Sequence, residues 1–385
     1  MLKLAIGWLT LFVMGTDLFV ISPLLPGVAG DFAISPARAG LSVTVFSITY
    51  MASAPLFGRL ADHFGRKRLL IWCLLAFAAA NVLTAAAGTF AALLAARIFA
   101  GAMAAGVSPA VYALVGEAAP PARRATWMGI AVSGLLLALS LGTPLGGLAG
   151  AVFGWAVVFA GLAAASMLLA LANQLAWPGG PPAAPVAAPH RPGLTKAVLL
   201  RRLAPTVVWA TALYSMYTYL GAGLTELGYS PEQIARVLVF YGCGAIAGTL
   251  LGGRLADRRG ARFTMGVSLI GLAACFTVLQ SMLTAGLAID LVLAAASMSA
   301  QLFFPAQQAG LANDFPAERA TVLAWNNSGL FLGIFLGSLV GGEAMVRGGL
   351  AAILVIGAAI ALAGFVVTWA AASRRPVVDG ADPRA

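Results

Sequence analysis

Two charged residues stand where charge is costly. Asp17 lies roughly halfway along an apolar stretch that begins near residue 4, and Arg97 is the one basic residue deep inside such a stretch. If these stretches cross a bilayer, an ionised carboxylate at mid-depth costs about 2.5–3.5 kcal/mol. Low dielectric favours the neutral carboxyl, and a nearby cation favours the carboxylate. Such a group can take up and release a proton as its access to water changes. It can also serve only as a helix-packing acid satisfied by its partners. Arg97 cannot practically lose its proton, so it must face the interior and find either a carboxylate or helix carbonyls. Asp17 is the only comparably placed acid in the first half of the chain. An Asp17–Arg97 contact, made directly or through water and loosened when Asp17 is protonated, is therefore expected.

Other polar or aromatic groups within apolar stretches are candidates for contact with a small solute. They are Asn81, Tyr214, Tyr217, Tyr219, Gln301, Gln307, Gln308, Asn326 and Asn327. Each has a competing role, because polar groups in membrane helices commonly bond to a neighbouring helix. Tyr217 and Tyr219 point about 200° apart on a helix, so they cannot both face one cavity squarely. A cavity of aromatic rings and a few amides would suit neutral or amphipathic solutes better than multivalent anions.

The composition requires lipid around these residues. Of 385 residues, 61% are hydrophobic and 9% charged, whereas a soluble domain has about 25% charged residues. Apolar runs bounded by Gly, Pro or charge clusters predict twelve spans, at residues 4–27, 38–58, 69–88, 91–116, 124–150, 153–176, 204–226, 232–253, 262–284, 286–312, 319–343 and 349–372. About 20 residues suffice for each crossing. The first run is read as a span rather than a cleaved signal, because Asp17 interrupts it and many spans follow. With both termini cytoplasmic, 19 of the 23 lysines and arginines fall inside and three outside, with Arg97 within a span. That asymmetry predicts a multi-pass protein of a plasma membrane, in bacteria the inner membrane. It also explains the net charge of +10 without a nucleic-acid partner.

Residues 178–203 are rich in proline and then basic, and predict a cytoplasmic linker. They divide the chain into a bundle at 1–177 and a second at 204–373, followed by a cytoplasmic tail at 374–385. The halves repeat. GRLADHFGRKR (58–68) recurs as GRLADRRGARF (253–263), and PARRAT (121–126) as PAERAT (316–321), both shifted by 195 residues. The expected fold is an all-α membrane protein of twelve transmembrane helices in two six-helix pseudo-repeats, with a solute site between the halves.

These motifs make the chain resemble the major facilitator superfamily. Gly58, Leu60, Ala61, Asp62, Gly65, Arg66 and Lys67 match its loop signature. Within it, the chain is similar to the drug:proton antiporter family and its arabinose- and purine-efflux-permease-like branch. Asp17, Phe19, Val20, Leu25 and Pro26 match the branch's first helix, with Asp where Glu is common. Arg97, Gly101 and Gly106 match the fourth. Gly142, Pro144, Gly146, Gly154 and Trp155 match the antiporter-type fifth, although Ala156 stands where an arginine is usual. Asn326 or Asn327, Gly333, Gly337, Gly341 and Gly342 match the eleventh. The resemblance implies proton-coupled efflux of a small organic solute such as a drug, sugar or nucleoside-type metabolite, by a monomer in the lipid bilayer. An importer or facilitator of the same fold is the alternative. Asp17 and Arg97 would couple protons. Gly58, Asp62, Gly65, Arg66, Asp257 and Gly260 would form a cytoplasmic gate, with Asp62 near a facing helix N-terminus. Gly142, Pro144 and Gly146 would allow close packing or bending.

Other readings fail. GCGAIAG (242–248) has no preceding strand, and no GxxxxGK[ST] occurs, so nucleotide-driven transport is not expected. His63 and His190 lie far apart, and no nucleophilic triad or metal set is visible. Neither a cofactor nor a metal is expected, and the chain is not read as an enzyme. Cys73, Cys243 and Cys275 each lie in an apolar run and are expected to be buried. Glu117, Glu226, Asp290 and Glu343 lie near predicted span ends, where water would reach them.

Overall fold

Long helices separated by short turns follow from the apolar stretches and the residues that break them. A computed structural model describes residues 1–120, 124–178, 196–282, 287–315 and 319–372. The helices are α1 (Leu2–Asp31), the short α2 (Pro36–Ala39), α3 (Leu41–Phe64), α4 (Arg66–Ala85), α5 (Phe90–Ala118), α6 (Arg124–Leu137), α7 (Thr143–Phe153), α8 (Trp155–Ala176), α9 (Lys196–Glu226), α10 (Pro231–Arg259), α11 (Ala261–Ser281), α12 (Leu287–Gln301), α13 (Phe303–Asp314) and α14 (Arg319–Ala372). No strand occurs among the described residues. Most of the predicted linker, at 179–195, lies outside them, as do residues 121–123 and 316–318 of the second repeated motif and the tail from 373.

Three departures from regular helix have covalent causes. The 54 residues of α14 would reach about 80 Å as one rod, far beyond the roughly 30 Å of hydrocarbon. Instead Gly348 and Gly349 leave helical geometry and divide it into two arms, as the predicted spans require. Between α6 and α7, residues Ala138–Gly142 form a π turn in which the Thr143 N–H bonds Ala138 O. Pro144 follows, with no N–H to offer the carbonyl four residues back and a ring that crowds it. The predicted span at 286–312 breaks at Leu302, shortly before Pro305. There the Trp209 indole N–H donates to Ala300 O at 2.9 Å, and Ser268 Oγ to the same oxygen at 3.2 Å. At the other extreme, α9 begins at Lys196 rather than at 204, because the basic end of the predicted linker continues the helix.

The repeat is visible in the backbone. The positive-φ positions are Ala33, Gly65, Gly154, Gly228, Gly260 and Gly349. They fall into three pairs, 33 with 228, 65 with 260 and 154 with 349, each 195 apart. The left-handed region costs little only for glycine, so the same sharp turns recur at the same places in each half.

Close helix approach depends on small residues. Along α10, a Cβ at Gly244, Gly248 or Gly252 would stand 2.1, 2.2 or 2.6 Å from the carbonyl oxygens of Ala294, Met298 and Leu302. Backbone meets backbone at four-residue intervals, an arrangement that supplies packing energy where lipid supplies no hydrophobic drive. Gly248→Leu is expected to cost about 3 kcal/mol and lower the unfolding temperature in detergent. Gly253→Leu, with no atom within 4 Å of its Cβ position, should stay within about 0.5 kcal/mol of the parent.

Candidate functional site

Asp17 is the sixteenth of the thirty residues of α1, and Arg97 is the eighth residue of α5. Both side chains turn into the first six-helix bundle, and Arg97 Nη2 donates to Asp17 Oδ1 at 2.8 Å. Their side chains are 2% and 0% exposed. The expected contact is therefore direct. It rests on a single hydrogen bond, because Asp17 Oδ2 and Arg97 Nε and Nη1 have no protein partner. Two rings complete the guanidinium's surroundings. Its carbon lies 4.7 Å from the centre of the Phe46 ring and 5.2 Å from that of Phe159. A desolvated cation over an aromatic face gains about 2 kcal/mol, so the rings replace hydrogen bonds that the single carboxylate does not make.

The solute candidates fall into different environments. Tyr217 donates its hydroxyl to Phe19 O at 3.1 Å. Pro23 causes this, because it cannot donate to the carbonyl four residues earlier and leaves Phe19 O free for α9. Ser22 Oγ donates to Tyr217 O at 2.6 Å. These two residues are 195 apart, so equivalent points of the repeat touch, which places them on the pseudo-two-fold axis. Tyr219 donates to Ser338 O at 2.9 Å, and Ser338 Oγ donates to Gly40 O at 3.0 Å. Thr44 and Ser338 share a further bond at 2.8 Å. Asn81 donates to Phe77 O of its own helix. Asn326 accepts from Thr206 at 2.6 Å, and Gln307 donates to Arg202 O at 2.9 Å. Tyr214 packs edge-on against Tyr217. Asn327 interacts with the Tyr50 side chain. Gln301 and Gln308 are partly exposed.

The bonds of Ser22, Tyr217, Thr44 and Ser338 join the two halves at the end that carries the 31–41 and 226–231 turns. Tyr217→Phe removes one of them, the bond to Phe19 O, worth about 1 kcal/mol. It should raise the labelling rate of a cysteine placed at Thr44 about fivefold, since 1.4 kcal/mol is tenfold.

The opposite end holds the predicted gate. Gly65 and Gly260 take φ of 85° and 86° and cap α3 and α10. Arg66 forms an ion pair with Glu117, and Asp257 is exposed. Gly58 and Asp62 lie on α3, with side-chain positions outside the described residues. Gly142 and Gly146 admit Thr16 and Val20 of α1, whose side-chain atoms would stand 2.1 and 2.4 Å from an added Cβ. Pro144 is buried beside them.

Two expectations are corrected. Asp290 is fully buried rather than water-accessible, and it accepts from Arg236 Nε at 2.7 Å. Arg236 on α10 reaches across to α12 and covers it. Glu117 is half-exposed, as expected near a span end, and pairs with Arg66. Cys73 is buried, but Cys243 is exposed on the outside of α10, since an apolar side chain facing lipid need not be buried in protein. Sequence reasoning missed Phe46 and Phe159, which as two of 20 phenylalanines carry no distinguishing mark.

The family model described as Major Facilitator Superfamily matches residues 7–225 and 210–384. The MFS-type transporter YceJ of Bacillus subtilis (strain 168) is 28% identical over 345 residues, 86% of each chain. A chloramphenicol resistance protein of Streptomyces lividans is 30% identical over 260 residues, 65% of each chain. The inner membrane transport protein YdhP of Escherichia coli (strain K12) is 28% identical over 387 residues, 98% of this chain and 96% of that one. Among solved structures, a bacterial homologue of the human lysosomal transporter Spinster, inward-facing and occupied, superposes with a TM-score of 0.77 at 20% identity, covering 96% of both chains.

Proposed function

The chain belongs to the major facilitator superfamily, and from that premise we propose that this multi-pass secondary transporter exports a small organic solute in exchange for protons. The buried Asp17–Arg97 pair carries the reading. Asp17 Oδ2 has no donor and is the oxygen that receives the proton. A neutral carboxyl no longer attracts the guanidinium, and the relative stability of the two access states changes. In this conformation the pair is sealed from water, as an exchanger needs between its two loading steps. Exchange with either aqueous side then belongs to the alternate state. The relative named for chloramphenicol resistance supports efflux of an uncharged, partly apolar solute. The tyrosine-lined seam between the halves suits such cargo. Gly65, Arg66 and the repeated Gly260 turn would form the inner gate, with Asp62 and Asp257 beside them, and both termini would be cytoplasmic. The two bundles would rock as a monomer about the Ser22–Tyr217 axis.

The test is transport into proteoliposomes with an imposed pH difference, using chloramphenicol, arabinose and adenosine as probes. One proton exchanged per solute against one pH unit supports about a tenfold solute gradient, since 1.4 kcal/mol is tenfold. Acid-inside vesicles should accumulate at least one probe, and a protonophore should abolish the accumulation. Equal uptake with and without the pH difference would indicate a facilitator instead.

A further inference from the structure

The aromatic packing around Arg97 does not stop at the ion pair. Phe46 on α3 lies against the guanidinium. Tyr50, one helical turn further on, has its ring centre 6.5 Å from that of Phe46. Tyr50 in turn stacks on Phe331 of α14, with ring centres 3.6 Å apart and planes 14° apart. The four rings, Phe159, Phe46, Tyr50 and Phe331, are all buried. They run from inside the first bundle to a residue of the second. Tyr50 also interacts with Asn327 on α14 and Ser108 on α5.

We propose that Phe46 and Tyr50 are positioning residues that transmit the charge state of the Asp17–Arg97 pair to the contact between the two halves at Phe331. This rests on the reading of Asp17 as the proton-exchanging carboxyl. When a proton binds Asp17 Oδ2, the ionic pull on Arg97 ends, and the two rings become its principal partners. The guanidinium shifts relative to Phe46. The backbone of Phe46 has no room to yield toward α5, where its carbonyl would stand 2.3 Å from a Cβ at Gly101. The displacement is therefore taken up along α3, through Tyr50 and into Phe331. Interiors packed at crystal density pass such shifts between discrete arrangements rather than absorbing them.

No other charge shares this task. Away from helix ends, the titratable side chains on the elements packed around the pair are Tyr50 on α3, Cys73 on α4, Tyr112 on α5 and Tyr214, Tyr217 and Tyr219 on α9. Among described side chains, α6, α7 and α8 present none, and the remaining acids and bases of the first bundle sit near helix ends. Among the described residues, Arg97 alone forms an ion pair with Asp17.

The experiment follows the distance between spin labels at Gly88→Cys and Glu232→Cys, in a Cys243→Ser background, from pH 8 to pH 5 in nanodiscs without solute. The parent should change its population of the two access states across this range. Phe46→Leu and Phe331→Leu should each cut the pH-dependent change in the equilibrium constant about tenfold, a coupling of ordinary allosteric size. Phe276→Leu removes an equally buried ring in the second bundle and should leave the pH response intact. If Phe46→Leu and Phe331→Leu keep the full response, or if Phe276→Leu loses it equally, the link does not exist. Phe331→Leu keeps the test decisive if Phe46→Leu does not fold. Asp17→Asn separates the two levels. A flat response in Asp17→Asn beside an intact one in Phe46→Leu overturns the link alone. A pH response that survives Asp17→Asn overturns the proton reading and the link with it.

Discussion

Arg97→Ala should remove most of the folded protein from the membrane. The substitution leaves the Asp17 carboxylate, fully buried and bonded by protein only to Arg97, without its counter-charge. Breaking a buried pair in this way costs about 3–5 kcal/mol, and the lost contacts with Phe46 and Phe159 add to it. Against a total stability of about 5–15 kcal/mol, that is a large fraction. The check is unfolding in detergent together with abundance in the membrane. Asp17→Asn placed in the same chain removes the stranded charge. The double variant should recover about 2 kcal/mol or more, a coupling within the range for residues in contact. Arg97→Lys should fall between, because a compact ammonium keeps the charge but loses the planar face that two rings cover. If the double variant is as unstable as the sum of the singles, the pair is not the energetic unit that its geometry describes.

The pair was legible in the sequence for the same reason that it is costly. A single acid and a single base, each isolated among apolar residues, must meet or neutralise. The repeat was legible as well. Two motifs at one offset of 195 residues anticipated the positive-φ pairs at Gly65 with Gly260 and Gly154 with Gly349. Other features needed three dimensions. Nothing in the spacing of Phe46 and Phe159 marks them as the rings on either side of a cation, because any buried phenylalanine has the same local signature. Asp290 was assigned to water by its place near a span end, yet Arg236 of another helix covers it. The tyrosines were chosen for their polar tips, and two of those tips are engaged by backbone carbonyls. One of these, Phe19 O, is free because of Pro23. That proline was visible in the sequence, but the helix that would answer it was not.

Asp17→Asn should leave a folded protein that no longer uses the pH difference. The amide matches the carboxyl in shape, and its oxygen can still accept from Arg97 Nη2, so the bundle keeps its packing. The remaining cost is that of an incompletely balanced guanidinium held by two rings, about 1–3 kcal/mol for a weakened buried polar contact. Proton exchange, by contrast, is lost outright, because an amide neither takes up nor releases a proton near neutral pH. Gradient-driven accumulation of the transported probe under one pH unit should fall from about tenfold to none, a loss of about 1.4 kcal/mol in driving force, while solute exchange at equal pH continues. Asp17→Glu retains a titratable oxygen and should keep part of the accumulation, with a changed pH profile because the longer arm alters the approach to Arg97. These two variants separate a proton carrier from a packing acid. If Asp17 serves packing alone, activity in both variants should follow membrane abundance and nothing else, and Asp17→Asn should accumulate solute against its gradient as well as its abundance allows.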